Sequence, residues 1–196
     1  MQTALPQSNA SVSTAGFTRS IPGRIVLGLA ATLVVAAAAH VSIPLWFTPV
    51  PLTLQPLAVL CVGLFLGPTT AFFAMLAYLA EGAVGLPVFA PNALGLSGVL
   101  QLAGPTGGYL MSYPLVAFLS GAITRTLKPR FLAALIGCTA AVTVLFICGA
   151  GWLMHYLHGN LNAAWVGGVL PFLPGEAIKI VAAAGMYSSL ARYTRS

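Results

Sequence analysis

The chain has 196 residues, of which 59% are apolar and 5% charged, with eight basic and two acidic side chains and a net charge of +6. A water-soluble domain carries about a quarter charged residues to solvate its surface. A soluble globular fold is therefore excluded, and lipid is the solvent for most of this surface. The basic balance does not mark a nucleic-acid partner, because the basic residues form no run on a polar face and no nucleic-acid-binding motif occurs.

Residues 1–23 are polar, rich in Ser, Thr, Ala and Gln, and lack the apolar core of a signal peptide. They read as a flexible cytoplasmic tail ahead of a single six-helix transmembrane domain over residues 24–193. A transmembrane helix needs about 20 mostly apolar residues. The first such run is 25–43, closed by Pro44. The second, 52–66, is short, carries Pro56 and ends at Gly67-Pro68, which predicts a weak, broken or partly re-entrant span. The third is 69–84, followed at 87–107 by a Gly-, Pro- and Asn-rich stretch too interrupted for a lipid-facing helix. The fourth is 108–127, the fifth 131–157, and the sixth starts after Pro174-Gly175 and ends near Arg192.

Charge tests that count. Basic residues collect on the cytoplasmic side of a membrane. With six spans, Arg19, Arg24, Arg125, Lys128, Arg130, Arg192 and Arg195 all fall on one side, and the opposite loops 44–53, 87–107 and 158–174 hold no Lys or Arg. Five spans would split the basic residues between the two sides. The expected protein is thus all-α and multi-pass, in the cell membrane, with both termini cytoplasmic. The remaining charges, Glu81, Glu176 and Lys179, lie within spans near their outer ends.

An ionisable group at bilayer depth costs several kcal/mol unless paired or hydrated, which makes it a functional candidate. Glu176 and Lys179, three apart, share a helix face. They either neutralise each other near the headgroups or offer an acceptor and a donor to a polar ligand from outside; the second reading is preferred. In GPTGGYL at 104–110, Gly107 and Gly108 permit close backbone approach, to another helix or to a ligand. Thr53 and Gln55, in PVPLTLQPL at 49–57, could read a ligand or simply be hydrated. Gly28, Thr32 and Ala36, four apart, form a small-residue stripe for close contact with a neighbouring helix or a partner subunit.

Other residues point away from chemistry. Cys61, Cys138 and Cys148 sit in apolar runs without ligand spacing and read as small buried hydrophobes. His155 and His158 lack a third metal ligand, and His40 reads as interfacial or packed. No catalytic constellation and no GxxxxGK[ST] nucleotide loop occurs, so the chain is not expected to be an enzyme.

Taken together, PVPLTLQPL at 49–57, GLPVFAP at 85–91, GPTGGYL at 104–110 and PGEAIK at 174–179 resemble the BioY family, over about residues 25–190 and in order. These are the biotin-specific S components of energy-coupling-factor (ECF) transporters. The resemblance implies a six-helix S-component fold with a substrate pocket on the extracellular side, under covering loops. It implies partners as well: biotin, membrane lipid, a transmembrane coupling protein and two ABC-type ATPases. The ATPases alone would use ATP, so no cofactor belongs to this chain. By similarity of position, Glu176 and Asn92 would meet the ureido ring of biotin. Lys179 or Tyr109 would suit its carboxylate, and Phe89 its apolar body. The chain departs from the family in having Glu176 where Asp is usual, PNALGLSGVLQ at 91–101 where a Gly-rich run is usual, and Gly28, Thr32 and Ala36 where the first helix usually shows Ala-xxx-Ala. The competing reading is an ion-gradient-driven secondary transporter of a small carboxylate-bearing metabolite. It predicts paired midplane acids and an internal repeat, and the sequence has neither.

Overall fold

The computed structural model describes residues 20–92 and 94–193; most of the tail predicted at 1–23 lies outside the described residues. Six long helices form the bundle. Helix α1 is Ile21–His40, α2 Gln55–Leu66 and α3 Pro68–Ala83. After a short α4, Gly98–Ala103, come α5, Gly107–Thr126, and α6, Arg130–Tyr156. A second short helix, α7, Leu161–Gly168, and a 3-10 turn, Leu170–Phe172, lead into α8, Leu173–Tyr193. Two-residue strands β1, Ser42–Ile43, and β2, Leu52–Thr53, pair antiparallel as a hairpin between α1 and α2.

Most boundaries fall where the sequence places them, and the differences have local causes. Helix α1 starts at Ile21 rather than 25, because the Ser20 hydroxyl accepts from the Gly23 N–H at 3.2 Å and Pro22 occupies the first turn. Helix α2 is not broken. Pro56 sits in its first turn, where no helical N–H is needed, so the helix begins there instead of kinking. The stretches 87–107 and 158–174, predicted as loops, hold α4 and α7. Asn160 caps α7 by accepting from the Ala163 N–H at 3.0 Å.

Helix α2 is the axis of the bundle. Its 12 residues span only about 18 Å, short of the hydrocarbon thickness of about 30 Å. It survives because it is encased in protein: Val59, Leu60, Val62 and Leu64 are all buried. Its tightest neighbour is α5. A Cβ on Gly63 would strike Ser120 and the Ala117 carbonyl, and one on Gly121 would strike the Gly63 carbonyl, so the two backbones meet at paired glycines. The outer helices present apolar side chains to their surroundings, Ile25, Leu29 and Leu33 on α1 and Ile147 on α6 among them. Ile21–His40 and Arg130–Tyr156 are each long and apolar enough to cross a membrane, as is the stretch Leu161–Leu190.

The two ends of the bundle differ. At one end Arg24 Nε donates to Thr70 Oγ1 at 3.1 Å, and the Arg125 guanidinium lies against Gly67. At the other end the hairpin, α4 and α7 form a cap. Thr48 Oγ1 ties the hairpin loop to the Gly167 carbonyl at 2.7 Å, and Trp152 Nε1 ties α6 to the Gly104 carbonyl at 2.8 Å.

Candidate functional site: a capped polar cleft

Beneath the cap lies a narrow cleft that opens toward the cap. Its wall is mostly apolar, from Val50, Leu110, Tyr113, Leu145, Phe146 and Phe172. Its polar groups come from separate elements: Thr53 of β2, Gln55 of α2, Asn92 of the loop after α3, Gln101 of α4, Thr106, and Glu176 with Lys179 of α8. Glu176 and Lys179 are therefore brought together with Thr53, Gln55, Asn92 and Tyr109, six of the nine ligand-contact positions expected from sequence.

The charged pair is deep. Lys179 Nζ lies 2.6 Å from Glu176 Oε1, and the two residues are 7% and 4% exposed. Glu176 Oε2 is buried and, among the described residues, has no hydrogen-bond partner. The one-turn spacing on α8 aligns carboxylate and ammonium side by side, so the pair shows a ligand an acceptor next to a donor.

Neutral amides line the cleft with orientations set by their partners. Tyr78, fully buried, gives its hydroxyl proton to the Val88 carbonyl at 2.7 Å, so it can only accept from Gln55 Nε2, at 2.6 Å. The Ala90 carbonyl likewise accepts from Gln101 Nε2 at 2.7 Å. Each glutamine thus spends an N–H on the scaffold and keeps its Oε1 as a fixed acceptor. Asn92 is used differently. Its Oδ1 accepts from the Leu94 and Leu96 N–H groups and its Nδ2 donates to the Leu96 carbonyl, so it closes its own loop at the edge of the cleft.

Three expected ligand contacts lie elsewhere. Phe89 points away into a slot over Gly82 and meets Tyr78 edge-on, with ring centroids 5.4 Å apart. Gly107 and Gly108 lie where α5 packs against α4 and α6: a Cβ on Gly107 would strike the Leu102 carbonyl of α4, and one on Gly108 would strike Trp152 and the Cys148 carbonyl of α6. Of the two readings of GPTGGYL, close helix contact is the one the structure shows. Tyr109 lines the cleft by its ring only. Its hydroxyl donates to the Gly168 carbonyl at 2.7 Å, and Gly149 and Gly168 leave the space in which the ring sits.

The stripe on α1 is also an internal contact. Thr32, 1% exposed, donates to Glu81 of α3 at 3.0 Å, and Gly28 faces Ala74 of the same helix. This gives Glu81, which matched no motif, a structural partner. Sequence reasoning missed Gln101, Thr106 and the apolar wall from α6. Gln101 carried a signal, a lone amide in the apolar run GVLQLA; Leu145 and Phe146 carried none.

A bundle of six helices with a capped cleft at one end is the fold of the S components of ECF transporters. The crystal structure of the S-component for biotin from an ECF-type ABC transporter matches it with TM-score 0.78 at 26% identity, covering 86% of this chain and 90% of that one. The BioY family profile matches residues 7–196, and the chain belongs to the BioY family. Its relatives include the probable biotin transporter BioY of Pyrococcus horikoshii, 36% identical across 80% of this chain and 90% of the relative. The biotin transporter BioY of Thermotoga maritima is 39% identical across 78% and 86%, and that of Rhodobacter capsulatus 34% identical across 87% and 94%.

Proposed function

We propose that the cleft binds biotin and that the chain is the capturing membrane subunit of a biotin importer, not an enzyme. One observation carries the ligand: Glu176 Oε2 is buried and, among the described residues, without a partner, at a cleft whose wall is mostly apolar. An orphaned buried acceptor forfeits about 1–3 kcal/mol, more when charged, and a ligand N–H restores it. The ureido ring of biotin carries two N–H groups and one carbonyl on a rigid apolar bicycle. Glu176 Oε2 accepts one N–H. Lys179, with two protons beyond the one engaged by Glu176, donates to the ureido carbonyl. Phe146, Phe172 and Leu110 enclose the bicycle. The relatives named as biotin transporters support the same ligand.

The direction of capture follows from charge. Arg24 and Arg125 mark the end opposite the cleft, and by the positive-inside tendency that end is cytoplasmic. Both termini are then cytoplasmic, the chain is multi-pass in the cell membrane, and the cleft opens outward. The sequence holds no nucleotide loop, so inward release draws on partners: a transmembrane coupling protein and two ABC-type ATPases, with no cofactor of this chain's own. Isothermal titration of the detergent-purified protein, without ATP, tests the ligand against thiamine, riboflavin and folate. Biotin alone should give saturable heat. No heat with biotin, or equal heat with another vitamin, refutes the reading.

A further inference from the structure

We infer that the cleft holds biotin without an ionic partner for its carboxylate, so that neutral carboxyl derivatives, including amide-linked conjugates, are also ligands. The inference rests on the biotin reading above. Among residues lining the cleft the sole cation is Lys179, and it is already engaged at 2.6 Å by Glu176. A ligand carboxylate on one of the remaining Lys179 protons would place two carboxylates around one ammonium, which the low dielectric of the site penalises heavily. No other fixed cation is at hand. The sequence has no Lys or Arg from residue 25 to 124 or from 131 to 178, so every cap loop lacks one.

The remaining polar groups agree. Gln55 and Gln101 present acceptor oxygens whose orientations are locked by Tyr78 and the Ala90 carbonyl. Together with Glu176 Oε2 they favour a ligand's donors and repel an anion. The carboxylate end is therefore placed at the mouth. There the cleft adjoins a second hollow of about 230 Å³, which shares Pro51 and Asn92 with it and is otherwise lined by Ser42, Pro44, Leu45, Thr48, Pro49 and Pro91. None of these residues is charged. The hollow offers a neutral channel for whatever is joined to the carboxyl carbon.

The test is a competition series on the purified full chain with biotin, biotinamide and biotin joined through its carboxyl group to the side-chain amine of lysine. If biotin binds, both neutral derivatives should bind within about five-fold of it. A carboxylate with its own charged partner would instead lose roughly ten-fold or more on conversion to the amide. A loss beyond five-fold for biotinamide overturns the inference while leaving biotin as the ligand. Exclusion of the lysine conjugate alone overturns the role of the outer hollow. Failure of biotin itself to bind overturns the functional reading and this inference with it.

Discussion

Replacing Lys179 by methionine separates the two tasks of the buried pair. In the parent, Nζ and Oε1 are 2.6 Å apart, both residues are less than a tenth exposed, and Oε2 has no other partner among the described residues. Lys179→Met keeps the length and apolar stem of the side chain but strands the carboxylate. Breaking a desolvated pair from one side costs about 3–5 kcal/mol, which for a chain of this size lowers the unfolding midpoint by about 6–20 °C. Adding Glu176→Gln removes the stranded charge, and a neutral pair of similar volume is about as stable as the ionic one, or more so. The double variant should therefore regain the parental midpoint in detergent while biotin titration shows binding lost. A stability-neutral Lys179→Met would mean the pair is hydrated. A double variant that binds biotin like the parent would remove the pair from recognition altogether.

Further expectations follow from single contacts. Tyr109→Phe loses the bond to the Gly168 carbonyl and should lower stability by about 1–2 kcal/mol, yet shift biotin affinity less than about three-fold; a larger shift by titration would place the hydroxyl on the ligand. Thr32→Val deletes the bond to Glu81 and should cost about 1–2 kcal/mol without impairing co-purification with the coupling subunit, whereas loss of the complex would make the stripe an intersubunit contact after all. Tyr78→Phe frees the Gln55 amide to turn its N–H groups into the cleft, and should weaken biotin about three- to ten-fold in the same titration, with unchanged affinity ruling out a fixed Gln55 acceptor. In a background lacking Cys61, Cys138 and Cys148, cysteine at Asn160 should react with an impermeant maleimide on whole cells and cysteine at Lys128 only after lysis; the opposite pattern would invert the protein in the membrane.

How much of this was visible in the sequence depends on the range of the force involved. Hydropathy and the one-sided distribution of Arg and Lys are summed over whole segments, and they give the helices and their order. The Glu176–Lys179 pair was legible because its spacing of one helical turn is local. Tyr109 and Asn92 line the cleft, while the resemblance assigned their polar atoms to a ligand. Tyr109 answers to Gly168, far along the chain, and Asn92 to a turn within its own loop. Gly107 and Gly108 illustrate the same limit: a glycine signals close approach without saying to what, and here the neighbours are the Leu102 carbonyl and Trp152. Gln101 and the wall from α6 reach the cleft only through tertiary contacts. Only the lone amide in an apolar stretch could have drawn notice beforehand.

The brevity of the central helix sets how much protein lies between the cleft and the opposite end of the bundle. Gln55, at one tip of α2, touches the cleft, and Leu66, at the other, borders the basic face. A vitamin resting on Gln55 has roughly 18 Å of protein beneath it, little more than half the thickness of the surrounding hydrocarbon. Under the orientation proposed above, about three turns of α2 separate a ligand in the cleft from the cytoplasmic face, and the hairpin that precedes α2 lines the second hollow.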